Sequence, residues 1–447
     1  MRRFWWVLAA LLLGSGAVAF VVGHRRQPEW TTSSQEALRE FRKGLEAEMK
    51  YYQDEALEHY RAASELDPEF AMAKLKSLQW TKRDGDGKET IARLGDELRK
   101  FDLDRLNERE RFLLSYRIAR LDKENAKAEK LLTAYLAGHP EDPWALSIRC
   151  AQAWDRQDWP TVERCDRKLL TADPNWVRAQ NDLGYIAMAQ GRFEDAEEMF
   201  RTYLFVAPDQ PNPHDSLGEL LTLRGRYDEA AQQFEEALRI RPDFCASWAH
   251  WLLSAQLAGD DGQAEEVMRR AQEAGTCDAS YLQQHRCALD IWVPLAKGDA
   301  AAAYEAGIRP ECNKRNGDLV VPLYLSALAS GHGEEADQLL GDLKHTIAGE
   351  ARENPFTQAA LEFLEGARLS AAGDHDQALH HLQAADEKFV YWGDGQGIFK
   401  LQNRLAIAAL LEKAGDSAGA AKMRDDVRQV NPRLAARFAN QPMLPGL

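Results

Sequence analysis

Residues 177–210 read VRAQNDLGYIAMAQGRFEDAEEMFRTYLFVAPDQ, and residues 211–244 read PNPHDSLGELLTLRGRYDEAAQQFEEALRIRPDF. Laid one under the other, these 34-residue stretches align Gly184 with Gly218, Gly191 with Gly225, Ala196 with Ala230, Phe200 with Phe234 and Pro208 with Pro242. The same step carries Pro140 to Pro174 and Pro208, Gly225 to Gly259, and Ala230 to Ala264. A fixed period of this length signals a repeat architecture, in which each unit buries its apolar face only against its neighbours. Gly191 and Gly225 supply the left-handed residue that closes a first helix, and the prolines stop a second because they cannot continue its hydrogen-bond ladder. Each unit is therefore two helices and two turns. Gly184 and Gly218, eighth in their units, are expected to let the first helix approach the small Ala196 and Ala230 of the second closely.

With aromatic Phe193 or Tyr227 following the glycine, this spacing resembles the tetratricopeptide repeat family. The resemblance implies an all-α fold: an α-solenoid, a superhelix of helical hairpins whose first helices line a concave groove. It is strongest at 37–70, 177–210 and 211–244, the first of these carrying Gly44, Ala56, Tyr60, Ala63 and Pro68. Weaker units fit at 109–142, 143–176, 245–278, 359–392 and 401–434, while 71–108, 279–316 and 317–350 fit only as helical pairs. The expected organisation is an N-terminal membrane anchor or signal segment (1–30), a repeat array (31–278), degenerate helical repeats (279–358), and C-terminal repeat-like units with a tail (359–447). The run Leu106-Asn107-Glu108-Arg109-Glu110-Arg111-Phe112, with Pro211 to Gly218 further on, also resembles repeat regions attached to bacterial kinases and membrane-bound transcriptional activators. Neither a kinase core nor a winged-helix sequence accompanies it.

By the family pattern, groove positions are the second, fifth, ninth, twelfth and thirteenth of each unit. These place Arg117, Trp144, Trp154, Arg178, Asn181, Tyr185, Asn212, Asp215 and Glu219 on the concave wall. The set is amphipathic and two-signed, suited to hold a partner polypeptide by amide hydrogen bonds, aromatic packing and charge pairing. The implied function is a membrane-anchored interaction scaffold or adaptor. Two alternatives stand beside it: a cell-envelope assembly or chaperone-like factor presenting client proteins, and a signalling subunit or enzyme whose activity is not visible in the sequence. The Lys and Asn that clamp chaperone carboxylates at positions five and nine are replaced by Phe41 and Leu45, Asn181 and Tyr185, Asp215 and Glu219.

Phe4 to Gly23 carries no charge and lies between Arg2-Arg3 and His24-Arg25-Arg26. As a helix it would run about 30 Å, a bilayer's hydrocarbon thickness. The expectation is a single membrane anchor at residues 4–23 with the body extracytoplasmic, in the periplasm. Arg2-Arg3, the apolar run and Ala17-Val18-Ala19 equally fit a signal peptide cleaved near Ala19. A net charge of −15 and a pI near 5.3 argue against a nucleic-acid partner.

Six cysteines without a C-x-x-C pair exclude thiolate metal chemistry of the common kinds. Cys277 and Cys312 bracket one helical pair and form a candidate disulfide, beside the leading expectation that the thiols are buried or free. His375, His380 and His381 read as a surface cluster, Asp84-Gly85-Asp86-Gly87 as a turn, and Gly393, Gly395 and Gly397 as a loop between units. No catalytic residues, metal or cofactor are expected.

Overall fold

The computed structural model describes residues 29–438 apart from 51, 82–86, 313–318, 349–354 and 394. Over these residues the chain is an all-α helical solenoid of 23 α-helices, with no strand among them. The uncharged run 4–23, and with it the anchor or signal expectation, lies outside the described residues. Among those described, no helix is long and apolar enough to cross a membrane. The chain divides into two compact units, one ending at Gln152 and the other beginning at Ala153.

The first unit holds α1 (Gln35–Met49), α2 (Gln53–Leu66), α3 (Ala71–Trp80), α4 (Gly87–Leu98), a 3-10 turn at Leu103–Arg105, α5 (Glu108–Leu121) and α6 (Asn125–Gly138); the division falls in α7 (Pro143–Asp155). Its core gathers on Phe41, whose ring meets Trp30, Phe70 and Tyr60 at centroid distances of 5.2, 4.8 and 5.5 Å. The Asn107–Glu110 stretch is a helix start. Asn107 Oδ1 accepts from the Glu110 N–H at 3.0 Å, and Glu110 Oε2 accepts from the Asn107 N–H at 3.1 Å. This reciprocal capping box satisfies two of the N–H groups that open α5.

The second unit continues with α8 (Trp159–Ala172), α9 (Val177–Ala189), α10 (Phe193–Val206), α11 (Pro211–Leu223), α12 (Tyr227–Ile240), α13 (Cys245–Ala258) and α14 (Asp261–Ala274). Then follow α15 (Ala279–Ala296), α16 (Ala300–Gly307), α17 (Val320–Ala329), α18 (Gly333–Ala348), α19 (Pro355–Ala371), α20 (His375–Lys388), α21 (Gln396–Lys413), α22 (Ser417–Val430) and α23 (Pro432–Arg437). The punctuation acts as its chemistry dictates: Gly191, Gly225 and Gly259 take φ of +75°, +72° and +77° just past α9, α11 and α13. Pro68, Pro208 and Pro242 follow the last residues of α2, α10 and α12.

The tight contact inside each hairpin differs from expectation. A Cβ on Gly218 would lie 2.5 Å from Cε1 of Phe234, and one on Gly44 2.6 Å from Cε1 of Tyr60; Gly184 meets Phe200 in the same way. The glycine receives an aromatic ring sixteen residues on rather than the alanine. Ala56, Ala196 and Ala230 are fully buried on the second helices.

The cysteine pairing is also corrected. Cys245 bonds Cys277 and Cys287 bonds Cys312, so the candidate Cys277–Cys312 bridge does not form, and the expectation of free thiols is overturned as well. The bracketing geometry applies one unit earlier: Cys245 opens α13 and Cys277 lies just past α14, with Cα atoms 5.8 Å apart. No cysteine is free.

Gly218→Leu is expected to lose about 1–3 kcal/mol of stability by driving a side chain into the Phe234 ring; unchanged denaturant unfolding would contradict the contact. Removing the Cys245–Cys277 bridge, which spans 32 residues, should cost about 3–4 kcal/mol on loop-closure grounds, read as a fall in the unfolding midpoint of the Cys245→Ala/Cys277→Ala variant.

Candidate functional site

Successive inner helices of the second unit bring equivalent repeat positions together. The Ser216 hydroxyl donates to Asn181 Oδ1 at 2.9 Å, and the Tyr185 hydroxyl donates to Glu219 Oε1 at 2.5 Å while lying 3.2 Å from Ser216 Oγ. One repeat further, the Ser247 hydroxyl donates to Asp215 Oδ1 at 2.6 Å. His250 Nδ1 stands 3.1 Å from both Asp215 oxygens and 3.8 Å from Glu219 Oε1. A polar seam thus crosses α9, α11 and α13. Asn181, Asp215 and Glu219 are buried in it. Burial, reinforced by the Glu219 carboxylate, pushes the Tyr185 phenol well above its ordinary range.

Three of the residues expected to face a partner are therefore interior, and the chain itself covers the wall they form. The link from α20 to α21 lays Trp392 against Tyr185, with ring centroids 5.3 Å apart and planes at 25°. Trp154 and Trp159 enclose the same indole at 5.5 and 5.6 Å. Beside it, Tyr391 sets its ring edge-on to Phe193 at 5.2 Å and donates its backbone N–H to the Ala189 carbonyl at 3.4 Å. Gly393 and Gly397 permit this approach: a Cβ on the first would overlap the Glu219 carboxylate, and on the second would lie 2.8 Å from Leu223 Cδ1. Helix α23 closes the wall at its far edge. Asn431 Nδ2 donates to Tyr227 Oη at 3.1 Å, and Arg437 donates to the carbonyls of Gln256 and Leu257, the last turn of α13.

The other expected residues are scattered. Arg178 remains exposed and points its guanidinium at Asp182, 3.7 Å away on its own helix. Asn212 is half-buried and donates to Tyr203 Oη at 3.4 Å. In the first unit Trp144 packs edge-on to Trp30 under the Lys76 ammonium, and Arg117 is half-buried on α5. Trp154, in contrast, lines an open space.

That space is a chamber of about 1090 Å³ within the second unit. Trp154, Leu253, Trp292, Phe356 and Phe399 supply apolar walls, while His250, His285, Gln284 and Gln402 supply polar points. Burial, with a smaller push from His250, lowers the His285 imidazole to about 4, so it is neutral at physiological pH. Sequence reasoning passed over Trp392, His250 and His285. Only His250 had a readable signal, since it follows Asp215 by about one repeat.

Near Arg178 stand two carboxyls, a buried Asp166 and a half-buried Asp182. Asp166 on α8 is 1% exposed, and burial, aided by the neighbouring Asp182, pushes its carboxyl up to about 8. Burial raises Asp182 to about 6 against the opposing pull of Arg178. Asp166 is thus protonated at neutral pH.

With this geometry in place, the chain can be set beside known proteins. The tetratricopeptide repeat family model matches residues 181–243. These tetratricopeptide residues run from Asn181 in α9 through α12, the part of the wall where the glycine–phenylalanine contacts sit. Among solved structures, the APC/C hetero-tetramer Cut9–Hcn1 is similar at a TM-score of 0.45, with 15% identity over 97% of this chain and 81% of that one. PilW, a type IV pilus biogenesis factor, gives 0.36 at 17% identity over 44% of this chain and 93% of its own. A tetratricopeptide repeat protein from Parabacteroides merdae gives 0.37 at 16%, over 66% of this chain and 99% of its own. These likenesses concern the fold alone. No curated protein sequence matches the chain.

Because Asp166 holds its proton more tightly folded than unfolded, it favours the folded state fully below its ordinary value of 3.8, and that contribution is lost as pH rises toward about 8. The loss runs at up to about 1.4 kcal/mol per pH unit. Asp166→Asn should flatten this decline and leave the variant more stable than the parent at pH 9; parallel unfolding profiles from pH 5 to 9 would contradict the protonated state.

Proposed function

We propose that the chain is a protein–protein interaction scaffold that receives an apolar segment of a partner polypeptide in the chamber of its second unit. The tetratricopeptide match and the helical-repeat fold support the general role, since such arrays work by presenting extended inner surfaces. The observation that carries the more specific reading is the chamber itself. Its size and its mixture of aromatic walls with separated histidine and glutamine side chains suit an aromatic or aliphatic anchor held by a few hydrogen bonds. In this reading the α9–α11 wall is a supporting layer, because Trp392 and its neighbours already occupy it.

We further propose that the body works outside the cytoplasm, tethered by residues 4–23 or released by cleavage near Ala19. Full pairing of the cysteines supports an oxidising compartment, where such bonds persist.

The test is cross-linked capture from membranes followed by reconstitution from purified components. Leu253→Arg, which puts a charge into the chamber, should abolish the complex with helicity unchanged. Phe205→Ala, on an outer helix where the ring is 86% exposed, should leave it intact. Capture that survives Leu253→Arg would place the partner elsewhere, and many unrelated exported clients in place of a few partners would favour an assembly factor.

A further inference from the structure

The polar seam contains a group of side chains with the donor types and spacing of a metal site. Asp215 and Glu219 stand on successive turns of α11, 4% and 8% exposed, with His250 of α13 between them. Their donor atoms all lie within 4.8 Å of one another. Two carboxylates taken out of water at such close quarters are costly unless a cation joins them. A neutral imidazole with two carboxylates carries two negative charges, which one divalent cation cancels.

The distances fit. Tetrahedral zinc, with bonds of about 2.0–2.1 Å, holds its ligand atoms about 3.3 Å from one another. His250 Nδ1 lies 3.1 Å from the Asp215 oxygens and 3.8 Å from Glu219 Oε1, and the two carboxylates offer oxygens within 4.8 Å of one another, so side-chain shifts bring the three toward that separation. Each carboxylate is also oriented from outside by a hydroxyl: Ser247 donates to Asp215 and Tyr185 to Glu219. Hydrogen bonds of this kind position metal-ligating carboxylates.

An independent observation concerns the hydroxyls one turn along the same two helices. Thr222 follows Glu219 by three residues and Ser254 follows His250 by four, spacings that place each on its predecessor's helix face. Their oxygens are buried, at 5% and 1% residue exposure, and find no hydrogen-bond partner among the described residues. A metal-bound water beside the ligands gives such hydroxyls a partner. His250 lines the chamber, so a solvent molecule or a ligand held there stands on the side of the site that His250 borders. We propose that Asp215, Glu219 and His250 form a three-ligand site for a divalent transition metal of the zinc class, open toward the chamber. The competing occupant of this geometry is a proton on His250, which would make the same three groups an imidazolium ion pair.

The experiment uses the full chain, stripped with chelator, dialysed, and titrated with Zn2+ and with Co2+ at neutral pH. One equivalent of Zn2+ per chain is expected, with a rise in the thermal unfolding midpoint, and Co2+ should develop the visible ligand-field band of a four-coordinate site. His250→Gln and Glu219→Gln should each weaken Zn2+ binding more than tenfold and abolish the midpoint shift. Absence of a one-to-one complex, or one of undiminished affinity in both variants, overturns the proposal in favour of the ion pair. If the variants do not fold, the parent chain decides alone: a Co2+ spectrum matching that of the hexaaquo ion overturns it.

Discussion

The architecture rests on one close contact, a glycine of one helix laid directly against a ring or branched side chain sixteen residues later. It recurs at Gly44 and Tyr60, Gly184 and Phe200, Gly218 and Phe234, and Gly366 and Leu382. Without a Cβ in the way, the helix backbone comes within van der Waals reach of the large side chain, and both are sealed from water. The axes of a hairpin are thereby fixed, and the next hairpin must stack at a constant step. The 34-residue period is the sequence image of that step. Residues one period apart become neighbours on the inner wall, and so Tyr185 reaches Glu219 and Asn181 reaches Ser216.

That register allows polar residues to be buried on the inner wall at modest cost. A polar group withdrawn from water needs a partner. Here the partner arrives from the equivalent position of the adjoining repeat, and the hydrogen bonds run between repeats. The seam then tolerates a dry cover. Trp392 takes that position with three aromatic neighbours, and Gly393 lets the backbone pass over Glu219 where any side chain would collide.

The hairpins were legible because glycine and proline act locally: a left-handed φ after α9 and α11 and a stop after α10 and α12 follow from the residue types at those positions alone. The identity of the packing partner was less legible, since Gly218 was matched with a small residue when the space left by its missing Cβ is what a phenylalanine fills. In the degenerate stretch the frame itself slips. Gly307 meets Leu323, so α16 packs on α17 across the boundary drawn between 279–316 and 317–350. For the cysteines, spacing alone distinguishes neither paired from free thiols nor one pairing from another: helix bracketing brings Cys245 to Cys277 across α13 and α14, not Cys277 to Cys312. The covered wall could not be read at all. Tyr185 and Trp392 are 207 residues apart, and no periodicity announces a contact between a repeat and a distant linker.

Closure by the C-terminal repeats also moves the accessible inner surface. Had the second unit been an open array, Asn181, Asp215 and Glu219 would face solvent as the family pattern implies, and any ligand would meet them first. With Tyr391, Trp392 and Gly393 seated on α9 and α11, and Arg437 holding α23 to the end of α13, the chamber is bounded by α13, α15, α19 and α21 among other elements. The groove residues then lie behind that space. Asp215 and Glu219 set the charge around His250, and among the described residues of the seam it is His250 whose side chain borders the chamber. Polar groups buried by repeat stacking therefore border the accessible space through the His250 imidazole, whose charge is set by the two carboxylates behind it.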